Sequence, residues 1–244
     1  LAFSTTAAKR ITVRVLDDRL AGPSPLGALI THTITGTRDP VRYPTNTIIL
    51  PVTVTVLGND PVILSEAKVN PPGDDAPFEY IELRGPPGMV MTNLHLLSVD
   101  GDRSSAGRVE FSLDLTGRAF GTNGLLVIAA TNSGYTFGPG TTFVPASKLD
   151  RAGGALNNGA VSILLVGSAA AIPEGQDLDA GDNGVLEGLP ADAVIMDAFG
   201  WRNSGSDVVY GGIDLTQDGF TPDAASRLPG KSTPLSAAAW MVGD

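Results

Sequence analysis

Carboxylates carry most of the chemistry available to this chain. The stretch PEGQDLDAGDNGVLEGLP, residues 173–190, sets Asp177, Asp179, Asp182, Asn183 and Glu187 at short intervals around Gly184. Oxygen ligands spaced along a glycine-containing loop can wrap a hard cation, and Ca²⁺ takes about six to eight of them. These five residues are the expected ligands of a structural Ca²⁺ site; the alternative is a solvated acidic turn that caps two strands. The spacing is not that of an EF-hand, because Gly184 lies further along than that loop puts its glycine and no flanking helices are evident.

A second set of carboxylates lies between Val62 and Leu83, where ILSEAKVN and FEYIEL flank the turn-forming cluster PPGDDAP. Period-2 alternation puts Glu66 in step with Val62 and Leu64, and Glu79 in step with Ile81 and Leu83. A carboxylate on an apolar strand face needs donors, a cation or water. The alternative is a strand end or bulge that turns it outward. Glu66 with Glu79, or Glu79 with Glu82, are the pairs that glycoside hydrolysis would use, but that chemistry also needs a sugar cleft between carboxylates about 5 to 10 Å apart. No feature of the sequence marks such a cleft.

Nucleophilic catalysis has less support. His32 sits between isoleucines and His95 between leucines, in strand-like runs and away from any glycine-framed serine. The chain has no G-x-S-x-G, Walker loop, HExxH or dinucleotide fingerprint, so the reading is of a protein that is not an enzyme. Cysteine is absent, which excludes disulfides, thiolate metal sites and a cysteine nucleophile. The net charge of −10 argues against nucleic acid and anionic membrane surfaces as partners. No apolar run reaches the length of a membrane span. Trp201, Tyr210 and Trp240 are expected as core anchors, with sugar stacking as their functional alternative. Arg227, among small residues, is expected either to pair with Asp223 or an inward glutamate, or to lie on the surface.

The elements that position these residues are short strands. Abundant glycine and proline with few aromatics favour an all-β chain of tight turns, in two units. In residues 1–60, ITVRVLDD, ALITHTIT and TIILPVTVTVLGND read as strands, with a fourth from Leu1 to Ala7. In residues 61–244, MVMTNLHLLSVDG, RVEFSLDL, GLLVIAATN and NNGAVSILLVG follow FEYIEL, each closed by aspartate, asparagine or glycine. Leu1 reads as a processed end or a fragment boundary.

ILSEAKVNPPGDDAPFEYIEL resembles the opening of bacterial lamin-tail domains. The acidic segment, MDAFGW, TPDAASRLPG and the closing AAAWMVGD also have counterparts in that family, in the same order. TNLHLLSV corresponds in position to a short family strand but lacks its tryptophan. The resemblance implies an immunoglobulin-like antiparallel β-sandwich, secreted and extracellular or at the cell surface, and no single activity. The first unit, through DD, THTITG, RY and VTVTVLGND, resembles the latter half of a Calx-β-type repeat. Calx-type domains place acidic residues at strand ends, which makes Asp17, Asp18, Asp39 and Asp60 a second candidate cation site. Three or four strands are too few for a two-layer sandwich, so the first unit is expected to be a smaller, incomplete one.

Three functions fit. The first is a structural subunit that self-associates into an extracellular filament or surface layer, completing open sheets by strand addition with Leu1–Ala7 as donor and stiffened by Ca²⁺. The second is a non-catalytic accessory module of a larger secreted nuclease or phosphatase. The third is a carbohydrate-binding sandwich using Trp201, Tyr210 or Trp240 on a glycan.

Overall fold

Short apolar runs broken by glycine, proline and aspartate become strands throughout the computed structural model, which describes residues 20–21, 26–34, 36, 39–41, 44–46, 48–56 and 62–243. The strands are β1 (Leu20–Ala21), β2 (Leu26–Thr33), β3 (Ile48–Val56), β4 (Ile63–Lys68), β5 (Tyr80–Arg84), β6 (Val90–Met91) and β7 (Leu94–Asp100). There follow β8 (Val109–Asp114), β9 (Leu125–Ala129), β10 (Thr142–Pro145), β11 (Val161–Gly167), β12 (Val194–Trp201), β13 (Ala224–Arg227) and β14 (Trp240–Gly243). Single turns of 3₁₀ helix occur at Ser147–Asp150 and Ala237–Ala239. Among the described residues no helix is long and apolar enough to cross a membrane.

The chain divides into two compact units, residues 1–18 with 27–56 and residues 19–26 with 57–244. In the larger unit a six-stranded sheet, ordered β10-β9-β5-β4-β13-β14, and a four-stranded sheet, ordered β12-β11-β7-β8, bury one core. Leu64, Ile81, Leu83, Leu126 and Ile128 of the first meet Leu96, Phe111, Ile163, Phe199 and Trp201 of the second. The short strand β1 pairs in parallel with β6.

Strands β7 and β11 are buried along their whole length, on both faces. Their outward residues Leu97, Val99, Leu164 and Val166 form a second core with Ile172, Leu178 and Tyr210, contributed by the segments that follow β11 and β12. Burial on both faces explains why LHLLSVD and VSILLVG read as nearly continuous apolar runs rather than clean alternations.

The antiparallel expectation holds for most pairs, but β9 and β10 run parallel in direct succession. Parallel neighbours require the chain to return from the end of one strand to the start of the next. Residues 130–141 make that return as an irregular segment.

The smaller unit contains, among the described residues, a two-stranded sheet of β2 and β3. The expected strands at 1–7 and 11–18 lie outside the described residues, as do Asp17, Asp18 and Asp60 of the proposed cation cluster. Asp39 is exposed. His32 falls within β2.

Candidate functional site

The acidic segment is closed largely by its own donors. Asp179 is fully buried; one carboxylate oxygen accepts the Asn183 N–H at 2.9 Å, and the other accepts the Gly184 N–H and the Tyr210 hydroxyl, each at 2.8 Å. Burial pushes the Asp179 carboxyl upward, but the bonds from Asn183, Tyr210 and Gly184 together outweigh it and hold its pKa below the usual value. Asp177 accepts from the Asp179 N–H, Asn183 from the Val185 N–H, and Glu187 from the Asn183 amide. Asp182 is exposed at a φ of 49°, in the left-handed region. These are turn roles, and among the described residues no group of three or more histidine, aspartate or glutamate side chains is arranged to hold a metal ion.

The two strand glutamates separate. Leu64 faces Leu83 across the ladder, but Glu66 faces Glu82, so Ser65 is an extra residue that forms a bulge and switches the side-chain parity of β4. Glu66 therefore lies on the outer face, where strict alternation would have put it inside. Glu79 stays inward and fully buried, accepting the Ala155 N–H at 2.8 Å and the Leu156 N–H at 3.1 Å. Gly154 makes this approach possible: a Cβ there would stand 2.5 Å from Glu79 Oε1. Burial raises the Glu79 pKa to about 7 against its two backbone donors, with the nearby charges of Asp75 and Glu110 adding to the rise. Neither Glu66 nor Glu82 shares a face with Glu79, so the carboxylate pairs considered for glycoside chemistry do not form.

His95 is buried, and its Nε2 lies 3.1 Å from the Ser168 carbonyl oxygen. The Ser168 hydroxyl donates to the Ala170 carbonyl and lies 3.1 Å from Asp192, so the imidazole meets the serine's backbone and not a nucleophile. Trp201, Tyr210 and Trp240 are all buried core residues, which leaves none of them a free ring face for a sugar. Arg227 is buried as well, but its partner is Asp197 at 2.5 Å; Asp223 instead accepts the Asn70 amide at 2.7 Å. Arg227 also donates to the carbonyls of Leu64 and Thr233 and lies 4.4 Å from the centre of the Trp240 ring. Asp197 accepts in addition from the Leu64 and Leu235 N–H groups.

An open groove of about 240 Å³ lies on the outer face of the six-stranded sheet, and the sequence reading did not identify it. Its floor is Glu66, Tyr80, Glu82, Leu125 and Val127 on β4, β5 and β9; its wall is the 130–141 return segment, through Tyr135 and Phe137. The wall is pinned at both ends. The Tyr135 hydroxyl donates to the Phe78 carbonyl at 3.0 Å, and the Asn123 amide donates to Thr141 at 2.7 Å. Tyr135 packs edge-on against Tyr80, with centroids 5.1 Å apart, and Phe137 stacks on Phe143 at 5.0 Å. The Tyr80 hydroxyl donates to Glu66 at 2.5 Å. Burial, with the adjacent Glu66 charge, raises the Glu82 pKa against the pull of Ser65 and Arg84. The signal in the sequence was the aromatic pair of SGYTFGPG, in a connection too glycine-rich for a strand.

No family model, curated protein or solved structure matches this chain.

Proposed function

We propose that this chain is a non-catalytic, secreted structural protein whose copies join through the β2–β3 sheet into an extracellular filament or surface layer. On this reading the larger unit is an immunoglobulin-like sandwich of the lamin-tail type. The observation that carries the proposal is the exposed apolar surface of the sheet that β2 and β3 form among the described residues. Its Leu29 is 62% exposed and its Val52 50% exposed, and Val41 between the strands is 92% exposed. A two-stranded sheet is marginal on its own, and a strand edge is a template for another strand. Addition of a segment from a second copy supplies both backbone partners and apolar cover. The non-catalytic part is supported by the buried carboxylates: Glu79, Asp179 and Asp197 each accept two or more structural hydrogen bonds.

Sedimentation of the full chain at rising concentration tests this. The expected result is concentration-dependent assembly, which a Leu29→Lys, Val52→Lys double variant shifts to higher concentration by at least about tenfold, since each apolar side chain buried contributes about 1.5–3 kcal/mol. The variant should keep the thermal unfolding of the larger unit. A wild-type chain that stays monomeric throughout contradicts the proposal.

A further inference from the structure

We propose that the groove on the outer face of the six-stranded sheet binds an organic cation, an alkylammonium or guanidinium head on a short apolar stem. This inference is independent of the assembly reading. It starts from Glu66 and Glu82, which stand directly opposite each other on adjacent strands. Like charges in that position destabilise a sheet. A neutral or opposite-charged pair would serve the fold better, yet among the described residues neither glutamate forms an ion pair. The basic residues next along the same strands are Lys68 and Arg84, and Arg84 donates to the Lys231 carbonyl at 2.7 Å.

The surroundings fit one ligand class. Tyr80, Tyr135 and Phe137 line the groove beside the two carboxylates, and aromatic faces attract a cation through the ring quadrupole. Leu125 and Val127 supply an apolar floor for a stem. The bond from the Tyr80 hydroxyl to Glu66 fixes that carboxylate beside the ring. A hard divalent ion favours about six oxygen ligands with several carboxylates among them, and the groove has two carboxylates, with no group of three or more acidic or histidine side chains placed to hold a metal among the described residues. The volume of about 240 Å³ suits one small cation or one basic side chain.

The test is titration of the full chain with n-butylammonium and n-butylguanidinium, followed by the NMR signals of the Tyr80, Tyr135 and Phe137 rings. n-Butanol serves as the neutral isostere and cellobiose as the sugar control. Cadaverine and the tripeptide Gly-Lys-Gly distinguish a free amine from a lysine side chain as the source of the cation. The expected result is saturable binding of the cations with ring-signal shifts, and no saturation by n-butanol or cellobiose. Glu82→Gln should weaken binding about tenfold and Tyr135→Leu several-fold, as loss of a charge partner and of a cation–π wall implies. Because Glu82→Gln also removes the like-charge pair, it should leave the melting temperature of the free protein unchanged or raised, an outcome a purely structural Glu82 would reverse. Failure of every cation to saturate, equal binding of n-butanol, saturation by cellobiose, or cation binding unaffected by Glu82→Gln overturns the proposal.

Discussion

Arg227 and Asp197 meet where the two sheets of the larger unit pack, with side chains that are both fully buried. Asp197 belongs to β12 of the four-stranded sheet, and Arg227 and its acceptor Leu64 belong to the six-stranded one, so this network ties the layers together. A buried pair is costly to break from one side because the partner is left charged and unsolvated. Asp197→Ala should therefore lower the unfolding free energy by about 3–5 kcal/mol, while the Asp197→Leu, Arg227→Met double variant should lose less than Asp197→Ala alone. Urea unfolding checks both. The small residues around Arg227 left a buried pair and a surface position equally open and did not mark its partner: Asp223 is closer in sequence, whereas sheet packing brings Asp197 to it. Glu79 makes a pH prediction. Its folded pKa is raised from 4.5 to about 7, so the folded state holds the proton more tightly than the unfolded chain. The resulting stability is fully present below 4.5 and is lost as pH rises through about 7; Glu110, raised to about 7 by burial and the charges of Asp100 and Asp102, acts in the same direction. Melting temperatures on either side of this window should fall with rising pH in the wild type and fall less in Glu79→Gln.

At the level of elements, β4, β5, β7, β8, β9 and β11 were readable because their apolar runs and breakers are local, whereas β10, β12, β13 and β14 were not marked as strands by the sequence pattern. YIEL of FEYIEL, LHLLSVD and VSILLVG appear as strands where alternation or burial places them. What alternation does not carry is a change of parity within a strand. The extra residue Ser65 inverts everything after it in β4, sends Glu66 outward and creates the pairing with Glu82. The return segment between β9 and β10 was equally hidden, because its course is set by a parallel pairing between strands and not by its own residues. The acidic segment was recognised as distinct, but its packing role rests on Leu178 and on Tyr210 more than thirty residues downstream. With Asp179 satisfied by three protein donors, the segment should be ordered by those bonds. Tyr210→Phe should cost about 1.5–3 kcal/mol, the range for a hydrogen bond to a charged group, and EDTA should leave the melting temperature unchanged. A rise in melting temperature on adding Ca²⁺, lost in Asp179→Asn, would instead show the segment to be a cation site.

For the whole molecule, the described residues of the two units differ in how much apolar surface they cover. The larger holds a shared core between two sheets and a second core beneath its long segments. The smaller shows, among its described residues, two strands with exposed apolar side chains. The net charge of −10 sets copies of the chain against one another at low ionic strength, so joining through a sheet edge should strengthen as salt screens that repulsion. Joining by backbone pairing at β2–β3 would be read out by hydrogen exchange of the full chain at low and high concentration. Amides of residues 26–33 and 48–56 should become strongly protected as concentration rises, while those of β7 and β11 stay protected throughout. Exchange at 26–33 and 48–56 that is the same at every concentration would contradict it.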